Sequence, residues 1–248
     1  MTRKQSRRSD GTRLILWVIH LARNEEQQLT VGSSSPVLWT RNGTRVLFRK
    51  PGAAWHDHIY SILVDGGGEK LETDRPDGWV APLGWSDTGS LLYTGYATSG
   101  KSPFDLWELP SAGNARILIP EENANMGFSD AAVTRKGDLI ASVGRGALYV
   151  QPIRGGARVP IDRGSVASPR WRADGRELYY LSGGHVMAAD ISGGDPVQVG
   201  PPHRLFEFHG ALFSPSQDGQ RFLAAVPQAS GDSDAVNVIL NWTNLSDK

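Results

Sequence analysis

Trp171-Arg172-Ala173-Asp174-Gly175, with the apolar run Leu178-Tyr179-Tyr180 close behind it, is one copy of a pattern that recurs along the chain and sets its fold class. Trp39-Thr40-Arg41-Asn42-Gly43 precedes Val46-Leu47-Phe48, and Trp85-Ser86-Asp87-Thr88-Gly89 precedes Leu91-Leu92-Tyr93. Val133-Thr134-Arg135-Lys136-Gly137 precedes Leu139-Ile140-Ala141, and the looser Pro215-Ser216-Gln217-Asp218-Gly219 precedes Phe222-Leu223-Ala224. Each copy reads as strand, tight turn, strand. The Asn-Gly or Asp-Gly pair is expected to supply the positive φ angles of a two-residue hairpin turn. The turn glycines recur at steps of roughly 40–50 residues, and strand-rich repeats of that length are propeller blades.

Working outward, each repeat offers two further strands. An alternating third strand is expected at His58–Val64, Phe104–Leu109, Ala147–Ile153 and His185–Ile191. A short outer strand is expected at Glu69–Thr73, Arg116–Ile119, Arg158–Ile161 and Pro196–Val199. Glycine-rich turns such as Asp65-Gly66-Gly67-Gly68, Arg154-Gly155-Gly156 and Ser192-Gly193-Gly194 precede outer strands and join antiparallel neighbours. No segment carries a sustained helical period with caps, so minimal helix is expected.

Both ends read as partial blades. Leu14–Ala22 and Gln27–Val31 resemble the third and fourth strands of a blade without its first half. The C-terminal part supplies a first and second strand around Gly219 and one more at Val236–Trp242. The expected fold is therefore an all-β propeller of four-stranded antiparallel blades. About four blades are full and partial blades stand at both termini, five to six in total, in an incomplete or open ring. Residues 1–13 are read as a disordered basic tail and 14–248 as the propeller, with repeats near 14–31, 36–73, 81–119, 128–161, 167–199 and 204–242. Two readings stay open at the ends: the N-terminal strands complete the last blade, or the chain is the C-terminal part of a longer propeller. The second is favoured, because the third-type strand at Leu14 otherwise has no place.

Bulk properties narrow the function classes. The 248 residues carry 26 basic and 26 acidic side chains, so no global field attracts nucleic acid or anionic membrane. The basic tract Arg3-Lys4 and Arg7-Arg8 has no interleaved aromatics and reads as a solvated tail rather than a nucleic-acid arm. Cysteine is absent, which removes disulfides, thiolate nucleophiles and cysteine metal sites together. The apolar stretch Leu14–Ala22 is too short to span a bilayer. It lacks a convincing small-residue cleavage site, so it reads as a strand and not as a signal peptide.

The repeat resembles the WD-repeat-like bacterial propellers of the TolB type, whose consensus reads roughly Trp-Ser-Pro-Asp-Gly before an apolar strand. The stretch Ser168-Pro169-Arg170-Trp171-Arg172-Ala173-Asp174-Gly175-Arg176-Glu177-Leu178-Tyr179-Tyr180-Leu181, with the ending Val238-Ile239-Leu240-Asn241-Trp242-Thr243, looks closest to the C-terminal propeller attached to bacterial serine/threonine protein kinases. The likeness covers most of the chain from Leu14 onward. It departs at the consensus proline, which Arg41, Asp87, Arg135, Ala173 and Gln217 replace, and at the tryptophan, which Val133 and Pro215 replace. The resemblance implies an interaction or sensory module and a periplasmic or extracytoplasmic compartment. It transfers no kinase residues.

Chemical motifs are few. Gly95-Tyr96-Ala97-Thr98-Ser99-Gly100-Lys101-Ser102 matches the phosphate-loop pattern, but that chemistry needs a helix opening at the lysine. Pro103 and the alternating strand from Phe104 follow instead, so a connecting loop is expected. Trp55-His56-Asp57-His58 places two histidines at i and i+2 without a nearby third ligand, and reads as an exposed loop. His20, His185, His203 and His209 carry no spacing signal, and no Gly-x-Ser-x-Gly elbow is present. Asp232-Ser233-Asp234 reads as a solvated turn. Trp39, Trp85 and Trp171 hold equivalent repeat positions and are expected to pack between blades. No catalytic, cofactor-binding or metal-binding residue is assigned and no cofactor is expected.

The expected function is a non-catalytic module for protein interaction or ligand sensing, with a protein or peptide partner at a propeller face, no nucleic acid and no membrane span. A C-terminal fragment of a larger receptor or kinase-linked protein fits that role. The alternative is an accessory propeller that gates the catalytic domain of a hydrolase or peptidase, carried outside this sequence. A lyase or hydrolase site in the propeller channel would need acidic and histidine residues converging on the axis.

Overall fold

The computed structural model describes residues 14–20, 25–51, 57–73, 79–95, 105–120, 130–194, 196–210 and 212–225. The basic tail, Trp55-His56, Lys101-Ser102, Asp232-Ser233-Asp234 and the Val236–Trp242 strand lie outside them. Among the described residues every regular element is a strand, and no helix is long and apolar enough to cross a membrane. The strands form small antiparallel sheets of the β-propeller type, with four blades. The chain divides into two compact units, one drawn from residues 5–85 and 89–124, the other from 125–248 together with 86–88.

The first unit holds two blades. Strands β1 (Leu14–His20), β2 (Glu25–Trp39), β3 (Arg45–Pro51), β4 (Asp57–Leu63) and β5 (Lys70–Leu71) run in that order across one sheet path. Strand β2 is continuous where the sequence reads as two segments. The run Gly32-Ser33-Ser34-Ser35-Pro36 looks like a break but only bends the strand: Gly32 takes a φ of 81° and the pairing register with β3 shifts between Ser34 and Leu38. The first half of β2 pairs with β1, the second with β3. The bend lays the β1–β2 hairpin on the first blade's face, where Val18 and Leu29 meet Val46, Phe48 and Ile62. Lys50 holds Glu69 (2.7 Å), and the Thr30 hydroxyl donates to the same carboxylate (3.2 Å), tying the hairpin to the blade.

Period-two alternation then turns Leu47 and Ile59 to the blade's other face. There they meet Val80, Leu91, Tyr93 and Trp107 of the second blade, built from β6 (Val80–Trp85), β7 (Leu91–Gly95), β8 (Asp105–Leu109) and β9 (Arg116–Ile119). A sheet buried on both faces explains the near-continuous apolar runs that the sequence shows after each turn glycine.

The second unit repeats the arrangement. One blade is β10 (Ala131–Val133), β11 (Leu139–Gly144), β12 (Ala147–Pro152) and β13 (Val159–Arg163). The next is β14 (Val166–Trp171), β15 (Glu177–Ser182), β16 (His185–Ser192) and β17 (Gln198–Val199). Ala141, Leu148 and Val150 pack on Leu178, Tyr180, Ala189 and Ile191 between them. The outer edge expected at Pro196–Val199 is shorter, and β18 (His203–Glu207) continues it by pairing with the first half of β16. On the last blade's other face, Tyr179, Val186 and Ala188 pack on Phe213, Phe222 and Ala224 of a hairpin, β19 (Leu212–Pro215) and β20 (Phe222–Ala225).

The repeated turn differs from the two-residue form expected. Its loop spans residues 41–44, with the Thr40 N–H donating to the Arg45 carbonyl (3.0 Å) and the Gly43 N–H to the Thr40 carbonyl (2.9 Å). Equivalent bonds close the turns at Thr134, Arg172 and Ser216. The glycine alone takes the left-handed conformation, at φ 73° in Gly175, and the Asn or Asp before it acts through its side chain. Asn42, Asp174 and Asp218 each accept the backbone N–H two residues on. A hydroxyl at the first turn position also closes the loop, since the Thr40, Thr134 and Ser216 oxygens accept N–H bonds from Arg45, Leu139 and Arg221.

In the Trp171 copy, Arg172 replaces that hydroxyl and grips Asp174 with two bonds of 2.9 Å. The guanidinium, helped by the Arg176 N–H, holds the Asp174 carboxyl down at about 2 against an ordinary 3.8. Because the folded value is the lower one, this carboxylate stabilises the fold fully above pH 3.8. The contribution is lost as pH falls from 3.8 toward 2. The pair is exposed, so the effect is at most about 1 kcal/mol. Urea midpoints measured between pH 2 and 5 should rise less steeply with pH in Asp174→Asn than in the parent. Parallel curves would show that the ion pair adds nothing.

The tryptophans are interblade links, with one exception. The Trp85 indole N–H donates to the Trp39 carbonyl (2.9 Å), and the Trp171 indole N–H to the Ala132 carbonyl (2.9 Å). Each reaches the first strand of the preceding blade. Trp39 departs from the expectation of interblade packing, because its side chain is 51% exposed. The β1–β2 hairpin covers the outer strands of its blade and leaves the inner strand's face open.

Candidate functional site

In an antiparallel meander the first-to-second and third-to-fourth turns lie at one end of the blade. The second-to-third loops lie at the other, with the connections between blades. The turns at the first end are short and alike. The second-to-third loops are not. In the second unit they are minimal: Arg145-Gly146 joins β11 to β12 at φ 50° and 66°, and Gly183-Gly184 joins β15 to β16 at φ 55° and 81°. These are the two-residue turns with paired positive φ that the sequence reading placed at the other end. In the first unit, residues 52–56 separate Pro51 from Asp57, and residues 96–104 separate Gly95 from Asp105.

The side chains at the strand ends that these two connections join form the most chemically distinctive group in the first unit. Arg49, at the end of β3, places its guanidinium 4.9 Å from the centroid of the Trp79 ring and 3.2 Å from the Asp57 carboxylate. Both charged groups are largely buried, which strengthens a cation–π contact beyond its value in water. Three residues from three strand ends thus form an aromatic and ionic platform. Nearby, Thr94 and Asp105 are buried at the mouth of β7 and β8, and Thr73 accepts the Ile59 N–H (3.1 Å). His58 lies half-buried with its ring edge-on to Tyr60 at 6.4 Å. Of the Trp55-His56-Asp57-His58 cluster, the structure therefore places Asp57 on the platform and His58 beside it.

The phosphate-loop look-alike begins at this end of β7. Its Gly95 closes β7, and β8 begins at Asp105, as the alternating pattern predicts; Lys101 and Ser102 lie outside the described residues. Among the described residues no group of three or more His, Cys, Asp or Glu side chains gathers as metal ligands would. The His185 Nδ1–H donates to the Gly183 carbonyl (3.0 Å), and its Nε2 faces the Arg204 guanidinium (3.3 Å). His209 meets Glu207 (3.0 Å), also at the surface.

At the opposite end of the first unit a groove of about 350 Å³ runs between the two blades, lined by Leu47, Trp85, Leu91, Leu109, Lys70 and Glu72. Its charges satisfy one another. Lys70 holds Glu72 (2.9 Å), Ser61 donates to the other Glu72 oxygen (2.6 Å), and Arg45 donates to Ser61 (2.8 Å). The platform at these strand ends was not visible in the sequence. Arg49, Asp57 and Trp79 are spread over thirty residues with no shared period, and the one available signal was loop length.

No family model matches the chain, and no curated protein matches its sequence. Solved structures do match. TolB from Acinetobacter baumannii superposes with a TM-score of 0.59 at 15% identity, over 79% of this chain and 50% of that one. This chain therefore spans half the length of that protein. A putative TolB from Agrobacterium tumefaciens gives 0.57 at 16% identity, over 78% of this chain and 74% of that one. The Cps50 (Swd1) β-propeller domain from Myceliophteria thermophila gives 0.59 at 17% identity, over 86% and 73%. At these identities the likeness is one of fold, and the fold is the β-propeller shared by TolB-like and WD40 structures, present here as four blades.

Proposed function

We propose that this chain is a non-catalytic interaction or ligand-sensing module, and that a protein or peptide partner docks on the loop-bearing end of the first two blades. The observation that carries the reading is the uneven distribution of chain length. Residues 52–56 and 96–104 extend the loops of the first two blades, where the next two make the same connection with Arg145-Gly146 and Gly183-Gly184. Extra length in a repeat protein collects on the face that binds. The Arg49–Asp57–Trp79 platform stands at the strand ends that these connections join and offers an aromatic and ionic surface, suited to a peptide with an aromatic side chain. The resemblance of Ser168–Leu181 to kinase-linked propellers favours a sensory role within a larger protein.

Replacing residues 52–56 and 96–104 with two-residue Asn-Gly turns tests the reading. The far-ultraviolet spectrum and melting temperature should hold. A partner captured by the parent chain, and identified by mass, should be lost. Equal capture by the short-loop chain would place the binding face elsewhere. Turnover of a small ester or glycan by the parent chain would overturn the non-catalytic assignment.

A further inference from the structure

We propose that Asn42 is a site of spontaneous deamidation, in which the first blade's turn reacts with itself and the hydroxyls of Thr40 and Thr44 hold the rate down. The inference concerns the short-turn end of that blade and is independent of the binding role above. Of the chain's asparagines only Asn42 precedes a glycine. With no side chain on Gly43, its backbone nitrogen is unshielded, and nothing lies within 4 Å of the place a Cβ would take. Asn42, Gly43 and Thr44 are all exposed, so water reaches the turn. The reaction forms a bond from the Gly43 nitrogen to the Asn42 side-chain carbon Cγ. The bond from Cγ to the amide nitrogen breaks, and that nitrogen leaves as ammonia with the Gly43 N–H proton. Water then opens the resulting succinimide ring at either carbonyl. One opening gives aspartate on the original main chain. The other gives isoaspartate, whose main chain runs through the side-chain methylene. Both exchange ammonia for water and add one negative charge to a chain that is formally neutral.

In the folded turn both reacting groups are engaged. The Gly43 N–H donates to the Thr40 carbonyl (2.9 Å). The Asn42 Oδ1 accepts the Thr40 hydroxyl (2.8 Å), the Thr44 hydroxyl (2.9 Å) and the Thr44 N–H (3.2 Å). Turning Cγ onto the Gly43 nitrogen gives up these bonds, so the reaction waits on local opening of the turn. The other copies of the turn show which product the fold accepts. Asp218 stands at the equivalent place and accepts the Ser216 hydroxyl and the Gln220 N–H, as Asn42 accepts those of Thr40 and Thr44. Asp174 accepts the Arg176 N–H in the same way. Aspartate at position 42 therefore keeps the turn. Isoaspartate lengthens the main chain between Thr40 and Arg45, and the bond of 3.0 Å from the Thr40 N–H to the Arg45 carbonyl, which closes the loop, is lost.

The full chain, held at mildly alkaline pH, is followed by ion exchange and by peptide mapping that separates aspartate from isoaspartate. Acidic species should accumulate, and the exchange of ammonia for water should map to Asn42 ahead of every other asparagine. The rate should rise several-fold in Thr44→Val and further in the parent unfolded by guanidinium chloride. Should Thr44→Val fail to fold, as judged by its β-sheet spectrum, Thr44→Ala removes the same hydroxyl. The isoaspartate form, isolated from the aged chain, should have a lower denaturant midpoint than the parent, and directly made Asn42→Asp should match the parent. Conversion at Asn42 no faster than at the other asparagines overturns the proposal, as does a folded hydroxyl-free variant that reacts at the parent's rate. An isoaspartate form as stable as Asn42→Asp overturns the role assigned to the loop closure.

Discussion

Phe48→Ala should destabilise the first unit by about 3–5 kcal/mol, the cost of truncating a fully buried aromatic ring and leaving a cavity. Phe48 is 0% exposed and joins Val46 and Ile62 of its own blade to Val18 and Leu29 of the β1–β2 hairpin. It stacks on Tyr60 with ring centroids 6.2 Å apart, and the Lys50 ammonium lies over both rings. The polar contacts between hairpin and blade, Thr30 to Glu69 and Gln27 to the Asp65 carbonyl, are exposed and worth far less than this apolar cluster. The loss should therefore be local before it is global. Amides of β1 should exchange with solvent faster in Phe48→Ala, while those of β11, β12, β15 and β16 keep their protection. Phe48→Leu, which retains most of the volume, should lose less than half as much. A loss below about 1 kcal/mol for the alanine variant, against the range expected for such a site, would mean that the hairpin does not rest on this ring.

The sequence revealed the blades because a repeat multiplies weak signals. A single Asn-Gly pair before an apolar run is ambiguous, whereas five turns at a nearly constant step leave few architectures. Third and fourth strands were legible for the same reason: β4, β8, β12 and β16 begin within a residue of where the alternation places them. What the repeat could not give was anything set by a neighbour. Trp39, Trp85 and Trp171 look equivalent in sequence, yet among the described residues the indoles of the second and third bond a preceding first strand, while Trp39 stands exposed. The turn was misjudged because the glycine rule considers φ alone. The hydroxyl that closes the loop is present in sequence as Thr40, Thr134 and Ser216, and its role shows once the N–H of the residue five positions on is seen bonded to it. The Arg49–Asp57–Trp79 platform is a product of strand ends brought together across two blades, and no local pattern announces it.

Arg116→Ala should cost about 2–3 kcal/mol, somewhat below the 3–5 kcal/mol usual for breaking a buried ion pair. The asymmetry of the pair decides the size. Glu108 is 1% exposed on β8, whereas its partner on β9 is 62% exposed, so the arginine covers the carboxylate from the solvent side. Its Nε and Nη2 both donate to one Glu108 oxygen, at 3.0 and 2.6 Å. Removing the arginine leaves a charge that was taken out of water without the guanidinium that compensated for it. Water entering through the gap recovers part of the loss, hence the lower figure. Arg116→Lys should fall between, since an ammonium keeps the charge but cannot donate from two nitrogens. Glu108→Gln combined with Arg116→Ala should regain stability relative to Arg116→Ala alone, because a buried amide costs less to leave half-satisfied than a buried carboxylate. Denaturant titrations of the parent, Glu108→Gln, Arg116→Ala and the double variant form a double-mutant cycle. An Arg116→Ala chain as stable as the parent, or a double variant no better than the single one, would show that solvent already reaches Glu108 and that the β8–β9 edge gains nothing from the pair.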